Sequence, residues 1–517
     1  MSDLQGTVEV DDLYVEGPEP LLGPLSLRLQ AGQCLGLVGE SGSGKSLTGL
    51  ALLDLLPSGL RGRSRLRVDG QEIAFDSPAH AALRGRCFGL VPQDPLAALH
   101  PLRRIGAQLV ETLGVARRLQ RHEARQQAVA LLQRVQLPEP QAALSRYPHQ
   151  FSGGQRQRIA IALALATQPR FLIADEPTSS LDARIAREIL ELLDQLRREE
   201  GLGLLLISHD LPLVGAYAQQ ILVLRAGELV EAGDTSAVFS APRHDYTREL
   251  LAADQLQAAP AADEDAPVLL QAQGLRMRYR GATCDALDGV DLELRRGEGL
   301  ALVGESGSGK STLGRVLLKL LHGAQGAVTL DGLRMDTLPA GELRRLRRRI
   351  GVVFQDPYAS LDPRLPVWRL IAEPLRIHGI GTAASQRQRA KELLESVGMD
   401  ESMLDRFPHE FSGGQRQRIA IARALSTDPD LLVCDEAVSA LDAHHRASIL
   451  ALLARLKRER RLALLFVTHD LAAASAVAER IAVLESGRIV ESGPTAAVLA
   501  NPRHPHTRAL VDARPAA

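Results

Sequence analysis

The sequence contains a long internal repeat. The residues LVGESGSGKS at 37–46 recur without change at 302–311, and FSGGQRQRIAIA at 151–162 recurs at 411–422. The two blocks keep their order and nearly their spacing, so the repeating unit is a stretch of about 250 residues and not a short solenoid repeat. The chain is therefore predicted to be a tandem duplication of a whole domain.

A segment of different composition separates the two copies. It reads AADQLQAAPAADEDAP, which is rich in Ala, Asp and Pro and offers little that could be buried. We interpret this segment as a linker. The predicted organisation is a first domain at 1–251, a linker at 252–267 and a second domain at 268–517.

Within a copy, short apolar runs alternate with helical patterns. Residues 33–38, 170–174 and 202–207 are largely apolar runs, as expected of strands that are buried on both faces of a parallel sheet. Residues 183–200 have the pattern of an amphipathic helix, and the stretch 105–144 has a long helical periodicity. This alternation predicts an α/β fold with a doubly wound parallel sheet.

Composition narrows the choice of partners. Lys and Arg number 61 against 62 Asp and Glu, and aromatic residues make up 3% of the chain, so no nucleic-acid partner is expected. The four cysteines form no CxxC pair, which disfavours a cysteine metal site. The start of the sequence lacks a basic segment followed by an apolar one, and no apolar run reaches the roughly 18 residues that a membrane helix needs. We therefore expect no secretory signal, and any membrane role would be peripheral.

The block at 37–46 includes the GxxxxGK[ST] pattern of a phosphate-binding loop. It follows a predicted strand and opens a predicted helix, which is the context that this pattern requires. Backbone N–H groups of such a loop turn toward phosphate oxygens, while Lys45 reaches the β- and γ-phosphates and the Ser46 hydroxyl ligates Mg²⁺. The candidate phosphate-binding residues are Gly39, Glu40, Ser41, Gly42, Ser43, Gly44, Lys45 and Ser46 and, in the second copy, Gly304, Glu305, Ser306, Gly307, Ser308, Gly309, Lys310 and Ser311.

Two adjacent carboxylates end a later apolar strand in each copy. Asp175 is placed to hold Mg²⁺, and Glu176 is placed to orient and deprotonate an attacking water. The second copy has Asp435 and Glu436 at the same place. A solvated turn would also put two acids after a strand, but their position after a phosphate loop and a further strand favours the catalytic interpretation.

The second repeated block begins with Ser-Gly-Gly-Gln at a predicted helix start, which we interpret as a second cradle for phosphate. An ordinary helix N-cap is the alternative, since Ser is common at that position. The repetition of twelve residues without change favours a binding role. The residues are Ser152, Gly153, Gly154 and Gln155 in the first copy and Ser412, Gly413, Gly414 and Gln415 in the second.

This ordered set of motifs resembles the ATP-binding-cassette (ABC) ATPases over essentially the full length of the chain. The glutamine loops would be Gln93 in LVPQDP and Gln355 in VVFQDP, and the switch histidines would be His209 and His469. Aspartate turns follow the acids at 180–182 and 440–442. The resemblance implies tandem duplicated P-loop NTPase domains, each with a RecA-like parallel-sheet core, a helical subdomain and an antiparallel β-subdomain.

The resemblance also implies ATP and Mg²⁺ as cofactors at two composite sites. In that family the two cassettes pair head to tail, so that each ATP lies between one phosphate loop and the signature of the other cassette. The implied catalytic residues are Glu176, His209 and Gln93 in the first copy and Glu436, His469 and Gln355 in the second. The implied metal ligands are Ser46, Gln93 and Asp175, and Ser311, Gln355 and Asp435.

In the family an aromatic residue before the phosphate loop stacks on adenine. Tyr279, in LRMRYRG, has the expected position in the second copy. Tyr14 lies at the same distance before its own loop, but a count from the preceding strand puts Gly17 there instead. Tyr14 is thus either an adenine platform or a tyrosine that packs within a strand.

Two further features resemble the peptide/nickel importer branch of the family. The glutamine loops continue as QDPLAALHP and QDPYASLDPR, and each copy ends in the pattern PRHxxTRxL, at 242–250 and 502–510. The branch implies an ATP-hydrolysing subunit that drives uptake of short peptides or peptide-like solutes. Its implied partners are two integral-membrane permeases and, through them, a solute-binding protein. The implied location is peripheral, on the cytoplasmic face of the bacterial inner membrane.

We expect the helical regions 94–147 and 356–407 to dock on the permeases. No cysteine follows Cys434, so we expect no iron–sulfur cluster of the kind that some members carry in a cysteine-rich tail. Ala437 and Val438 replace the Pro-Thr of the first copy, but neither position does chemistry, so both sites are expected to be active.

Three alternatives fit less well. A twin-cassette protein that acts on ribosomes would carry a long charged helical linker, and a DNA-repair ATPase would carry zinc-type cysteine clusters. In a fused sugar-importer ATPase the second phosphate loop often departs from the pattern, whereas here both loops are identical.

Overall fold

The computed structural model describes residues 6–179, 181–253, 259, 263, 265–438, 441 and 443–512. Most of the predicted linker, and Ser180, Ala440 and Asp442 of the predicted aspartate turns, lie outside the described residues. The chain divides into two compact units, of which the first ends at Ala252 and the second begins at Ala253. No helix within the described part combines the length and the apolar character needed to cross a bilayer.

The first unit contains two sheets. Their strands are β1 (Thr7–Glu16), β2 (Pro20–Gln30), β3 (Cys34–Gly39), β4 (Arg61–Val68), β5 (Gln71–Ala74), β6 (Phe88–Val91), β7 (Phe171–Asp175), β8 (Gly203–Ser208), β9 (Gln220–Arg225) and β10 (Glu228–Asp234). The core sheet has the order β10-β9-β3-β8-β7-β6 and is parallel except for β10, which pairs antiparallel with β9. A separate antiparallel sheet has the order β2-β1-β4-β5.

Helices cover the core sheet and form a segment inserted between β6 and β7. They are α1 (Lys45–Leu52), α2 (Pro78–Ala81), α3 (Pro95–Ala98), α4 (Ile105–Arg117), α5 (Arg121–Arg134), α6 (Pro140–Ala143), α7 (Gly153–Leu165), α8 (Ala183–Glu200), α9 (Leu211–Gly215), α10 (Thr235–Ser240) and α11 (Asp245–Ala253). A short 3₁₀ turn at Pro148–Gln150 precedes α7.

The second unit repeats this arrangement. Its strands are β11 (Val268–Met277), β12 (Leu287–Arg295), β13 (Gly299–Val303), β14 (Gln325–Leu330), β15 (Leu333–Arg334), β16 (Ile350–Val353), β17 (Leu431–Asp435), β18 (Ala463–Thr468), β19 (Arg480–Glu485) and β20 (Arg488–Pro494). The core sheet has the order β16-β17-β18-β13-β19-β20 and the antiparallel sheet the order β12-β11-β14-β15.

The helices of the second unit follow the same plan. They are α12 (Lys310–Leu317), α13 (Ala340–Arg347), α14 (Pro357–Ser360), α15 (Val367–Ile377), α16 (Ala383–Ser396), α17 (Gly413–Ala424), α18 (Ala443–Arg460), α19 (Leu471–Val477), α20 (Thr495–Ala500) and α21 (Pro505–Asp512). Short 3₁₀ turns lie at Glu401–Met403 and Pro408–Glu410.

The core strands are where the apolar runs predicted them. Every residue of β3 and β8 is buried, because helices cover one face of the sheet and α1 together with the antiparallel sheet covers the other. The predicted helix at 183–200 corresponds to α8. The predicted helical stretch 105–144, in contrast, is interrupted: Arg118 adopts a left-handed backbone (φ 56°) that ends α4, and Gln136 and Glu139 do the same beyond α5.

Candidate nucleotide site

In each unit the phosphate loop connects a buried core strand to a helix. β3 ends at Gly39 and α1 begins at Lys45, with Gly44 in a left-handed conformation (φ 98°). A Cβ on Gly44 would lie 2.9 Å from the Leu22 side chain. At Gly309 of the second loop the φ is 107° and a Cβ would lie 2.4 Å from the Ala286 carbonyl oxygen. Glycine is therefore required where the loop enters its helix.

The loop lysines are buried, and their ammonium groups point into the loop. Lys45 Nζ donates to the carbonyl oxygens of Gly39 (2.9 Å) and Glu40 (2.7 Å). Lys310 Nζ donates to the corresponding carbonyls at 2.8 Å each. Both lysines are 4% exposed. This geometry concentrates positive charge inside a loop whose helix N-terminus adds a favourable dipole for an anion.

One loop hydroxyl in each unit fits a phosphate ligand. Ser43 Oγ and Ser308 Oγ are buried and have no hydrogen-bond partner among the described residues. A buried hydroxyl without a partner is costly, and a phosphate oxygen would satisfy it. The loops therefore fit a bound polyphosphate.

The aspartates that end β7 and β17 each contact the serine after the loop lysine. Ser46 Oγ lies 3.0 Å from Asp175 Oδ1, and Ser311 Oγ lies 3.3 Å from Asp435 Oδ1. Burial raises the pKa of both aspartates, and the adjacent glutamates add to the effect. A bound cation would offset this destabilisation of the charged form.

The serine hydroxyl and aspartate carboxylate of each unit provide some of the oxygen ligands that Mg²⁺ needs. Among the described residues, no group of three or more His, Cys, Asp or Glu side chains is arranged to hold a metal ion. Mg²⁺ commonly takes one or two protein oxygens and completes its octahedron with water and substrate phosphates. The hydroxyl–carboxylate pairs fit that arrangement and no all-protein metal site.

Glu176 and Glu436 follow the aspartates in a left-handed backbone conformation, with φ 43° and φ 48°. Gln93 Nε2 donates to Glu176 Oε2 at 2.8 Å, and Gln355 Nε2 donates to Glu436 Oε2 at 2.7 Å. The left-handed turn is uncommon for residues other than Gly, and it is often retained at functional sites. The structure thus brings the glutamine loops to the carboxylates predicted to be catalytic.

The predicted switch histidines lie on the other side of these carboxylates. His209 Nδ1 is 3.3 Å from Glu176 Oε1, and His469 Nδ1 is 3.8 Å from Glu436 Oε1. His469 is the chief cause that lowers the pKa of Glu436. A carboxylate that stays ionised and is held from both sides can orient a water molecule and accept its proton.

The signature residues form helix caps in both units. Ser152 Oγ accepts from the Gln155 N–H (3.3 Å), and Gln155 Oε1 accepts from the Ser152 N–H (3.1 Å), a reciprocal capping box. Ser412 and Gln415 repeat it at 3.4 Å and 3.0 Å. The ordinary N-cap is therefore present.

The cap leaves part of each signature accessible. The serines and the first glycines, Gly153 and Gly413, are exposed, whereas the second glycines, Gly154 and Gly414, are buried. A Cβ on Gly154 would lie 2.5 Å from the Ile185 side chain, so this glycine is needed for packing.

The two candidate adenine platforms differ. Tyr279 is 42% exposed, and its hydroxyl lies 3.2 Å from Thr312 Oγ1, directly after the loop serine. Tyr14 is half-buried within β1, where Arg63 of the paired strand β4 lies over its ring at 4.4 Å. Tyr14 is thus packed against a strand neighbour.

Strand register decides between the two ways of counting. Val15 pairs with Leu22 in the first unit, and Met277 pairs with Leu287 in the second. Because Leu22 and Leu287 stand at the same distance from their phosphate loops, the residue that corresponds to Tyr279 is Gly17 and not Tyr14. From Val15 to Leu22 the chain advances seven residues, whereas from Met277 to Leu287 it advances ten, so the shorter connection in the first unit makes the two counts disagree.

Sequence reasoning missed one residue at the loop. Tyr246, in the C-terminal tail of the first unit, accepts a hydrogen bond from the Glu40 N–H through its hydroxyl at 3.0 Å. The PRHxxTRxL pattern marked the tail as a family feature, but nothing in it indicated proximity to a loop about two hundred residues away.

Two family models match the chain. The model described as ABC transporter matches residues 22–179 and 287–439. The model described as the oligopeptide/dipeptide transporter C-terminal region matches residues 230–270 and 490–517.

Curated relatives match along nearly the whole chain. The glutathione import ATP-binding protein GsiA of Salmonella typhimurium strain LT2 is 44% identical, over 95% of this chain and 86% of its own length. The protein of the same name from Escherichia coli strain K12 is 43% identical, with the same coverage. Among solved structures, the dimeric post-hydrolysis state of the ATP-binding cassette MJ0796 with ADP and Pi is 31% identical, over 44% of this chain and 99% of that one, with a TM-score of 0.41. The chain belongs to the ATP-binding proteins of the ABC transporter family, with two cassettes that are each followed by an oligopeptide/dipeptide transporter C-terminal region.

Proposed function

We propose that this chain is the ATP-hydrolysing subunit of an importer for short peptides or peptide-like solutes such as glutathione. Two observations support this assignment. The oligopeptide/dipeptide C-terminal region follows both cassettes, and relatives named for glutathione import match over almost the full length. The proposed location is peripheral, on the cytoplasmic face of the inner membrane.

Each unit supplies the groups that phosphoryl transfer to water requires. The loop amides and Lys45 or Lys310 bind the β- and γ-phosphates. Ser46 with Asp175, or Ser311 with Asp435, would hold Mg²⁺, which would supply positive charge against the phosphates. Glu176 or Glu436 orients the attacking water and accepts its proton as the water oxygen bonds to the γ-phosphorus. The bond to the β–γ bridging oxygen breaks, and ADP leaves with the electron pair.

We infer that each nucleotide is shared between one phosphate loop and the signature of the other cassette. The exposure of Ser152 and Gly153, and of Ser412 and Gly413, supports this, because these groups at a helix start are available to a phosphate. Binding ATP would then favour pairing of the cassettes, and loss of the γ-phosphate would favour their separation.

Coupling to permeases is carried by the glutamine loops. Gln93 and Gln355 hold the catalytic glutamates, and each glutamine leads directly into the helical segment that follows it. In the second unit a cleft of about 590 Å³ opens beside this loop, with Phe354, Glu373 and Ile377 in its lining. Phe354 and Ile377 are exposed, at 42% and 49%. We propose that a cytoplasmic segment of a permease occupies this cleft.

The decisive experiment is co-expression of the chain with its two permeases, followed by reconstitution in vesicles and measurement of labelled glutathione and dipeptide uptake. We expect ATP-dependent uptake of at least one solute. A Phe354→Asp variant, with Leu333→Asp as an exposed control outside the cleft, should lose uptake and permease binding but keep nucleotide binding. Recovery of the chain on ribosomes and not with permeases would contradict the importer function.

A further inference from the structure

We propose that Tyr246 is a positioning residue for ATP: from the C-terminal tail it fixes the peptide that orients the phosphate-loop lysine of the first unit. Its hydroxyl accepts from the Glu40 N–H (3.0 Å), and the Gly39 carbonyl, which belongs to the same peptide group, accepts from Lys45 Nζ (2.9 Å). The peptide group between Gly39 and Glu40 therefore contacts the tail through its N–H and the loop lysine through its carbonyl. The inference rests on the proposed role of this loop in binding ATP.

The tail that carries Tyr246 is anchored to the core sheet by hydrogen bonds to Glu231. Both oxygens of Glu231, in β10, accept backbone N–H groups of the tail, from Arg243 at 2.8 Å and His244 at 3.1 Å. Burial pushes the pKa of Glu231 upward, but these amides, together with Thr247, bring it below its ordinary value. His244 Nδ1 then accepts the Tyr246 N–H at 3.1 Å, which sets the start of α11.

The tyrosine ring is part of the core. Tyr246 is 2% exposed, and the Arg225 guanidinium at the end of β9 lies 4.9 Å from its ring centre. A ring fixed on all sides delivers its hydroxyl to one place. A hydrogen bond inside this packed region is worth more than one at the surface, because removal of one partner leaves the other buried and unsatisfied.

The second unit offers a natural comparison. Its tail is anchored in the same way, with Glu491 accepting from Arg503 and His504 at 2.9 Å and 3.0 Å. Two positions differ, however. Glu485 replaces Arg225 at the end of the strand, and His506 replaces Tyr246 in the tail. His506 Nδ1 is 3.4 Å from Glu485 Oε1, and its Nε2 is buried with no hydrogen-bond partner in the described part of the chain.

The comparison shows that the anchoring of the tail does not depend on the tyrosine hydroxyl. Both tails are anchored by a strand glutamate, but only the first carries a phenol, and its hydroxyl reaches the loop backbone. A loop held in place loses less freedom when it binds a ligand. Removal of the Tyr246 hydroxyl should therefore weaken nucleotide binding at the first loop without changing the chemical step.

The test uses the full chain with Lys310→Ala, which disables the second phosphate loop. Tyr246→Phe removes the hydroxyl and keeps the ring. We expect the Kd for the fluorescent analogue mant-ATP to rise about five- to tenfold, and the KM for ATP to rise with kcat unchanged. The melting temperature should match that of a Tyr217→Phe control, which changes a tyrosine of the same core away from the loop.

The matched control is His506→Phe in a Lys45→Ala chain, and binding at the second loop should change less than twofold. An unchanged Kd for Tyr246→Phe would overturn the inference, as would an equal loss from His506→Phe, because that would reflect tail packing in general. If the Lys310→Ala chain binds mant-ATP equally well when Lys45 is also replaced, the proposed phosphate site itself is wrong.

Discussion

The two units carry nearly the same reactive groups on different support. Serine–aspartate and glutamine–glutamate pairs recur with distances that agree within a few tenths of an ångström. The two units differ at the first residue of the strand that leads to the phosphate loop. In the first unit Gln219 accepts the Cys34 N–H, whereas in the second unit Glu479 accepts the Gly299 N–H and pairs with Lys457. The two units therefore keep the same geometry at the candidate site, while the buried position next to the core sheet is neutral in the first unit and charged in the second.

The largest expected effect is the loss of ATP hydrolysis when the predicted catalytic glutamate of one unit is replaced and that of the other unit is kept. Glu176→Gln and Glu436→Gln each remove a proton acceptor but keep an acceptor oxygen for the glutamine-loop amide. Each change should lower steady-state ATP hydrolysis strongly, and the double variant should lower it by about 10²–10⁴-fold. Phosphate release by the purified chain measures this. An unchanged rate for either single variant would show that its site is not hydrolytic.

The next effect is a loss of stability in the second unit, where the buried position next to the core sheet holds an ion pair. Lys457 and Glu479 are 6% and 7% exposed, and Lys457 Nζ also donates to the Val477 carbonyl at 2.9 Å. Lys457→Met leaves a buried carboxylate without its cation and should cost the second unit about 3–5 kcal/mol. Urea unfolding followed by Trp368, the single tryptophan of the chain, reports this unit selectively.

Two further variants test the cause of that loss. Lys457→Met combined with Glu479→Gln recreates the neutral amide of the first unit and should recover most of the stability. Arg197→Met, at the equivalent position of the first unit, removes a pairing with Asp194 on the same helix and should leave the Trp368 transition unchanged. Failure of the double variant to recover would show that the aliphatic stem of the lysine, and not its charge, provides the stability.

A smaller effect concerns the adenine platform. Tyr279→Ala should weaken binding at the second site by about 1–3 kcal/mol, the usual contribution of a base stacked on an aromatic ring. Equilibrium titration with mant-ATP in a Lys45→Ala chain measures it. Tyr14→Ala in a Lys310→Ala chain is the matched control and should leave affinity nearly unchanged, since Arg63 already covers that ring. An equal loss in both would restore Tyr14 as a platform.

These contrasts also show what the sequence could predict. Strands buried on both faces read as continuous apolar runs, so β3, β7 and β8 lie within a residue of their predicted bounds. The phosphate loop follows β3 and precedes α1, as its sequence pattern predicts. Tyr14 is ambiguous from the sequence because the connection from β1 to β2 is shorter than that from β11 to β12, which alters the count from strand to loop. The Tyr246 contact was invisible, since it depends on where the tail packs in three dimensions and not on any local pattern.

The smallest effect tests whether the signature serines have the proposed phosphate-binding role in addition to their role as helix caps. Ser152→Ala and Ser412→Ala remove equivalent helix caps and should each destabilise their unit by about 1 kcal/mol, as measured by urea unfolding. Ser152→Asp and Ser412→Asp keep a side chain that caps as well as serine, so stability should return. The added negative charge should nevertheless repel a phosphate and lower ATP hydrolysis. Because the four variants differ in cap and charge independently, restored hydrolysis in the aspartate variants would leave the serines with the capping role alone.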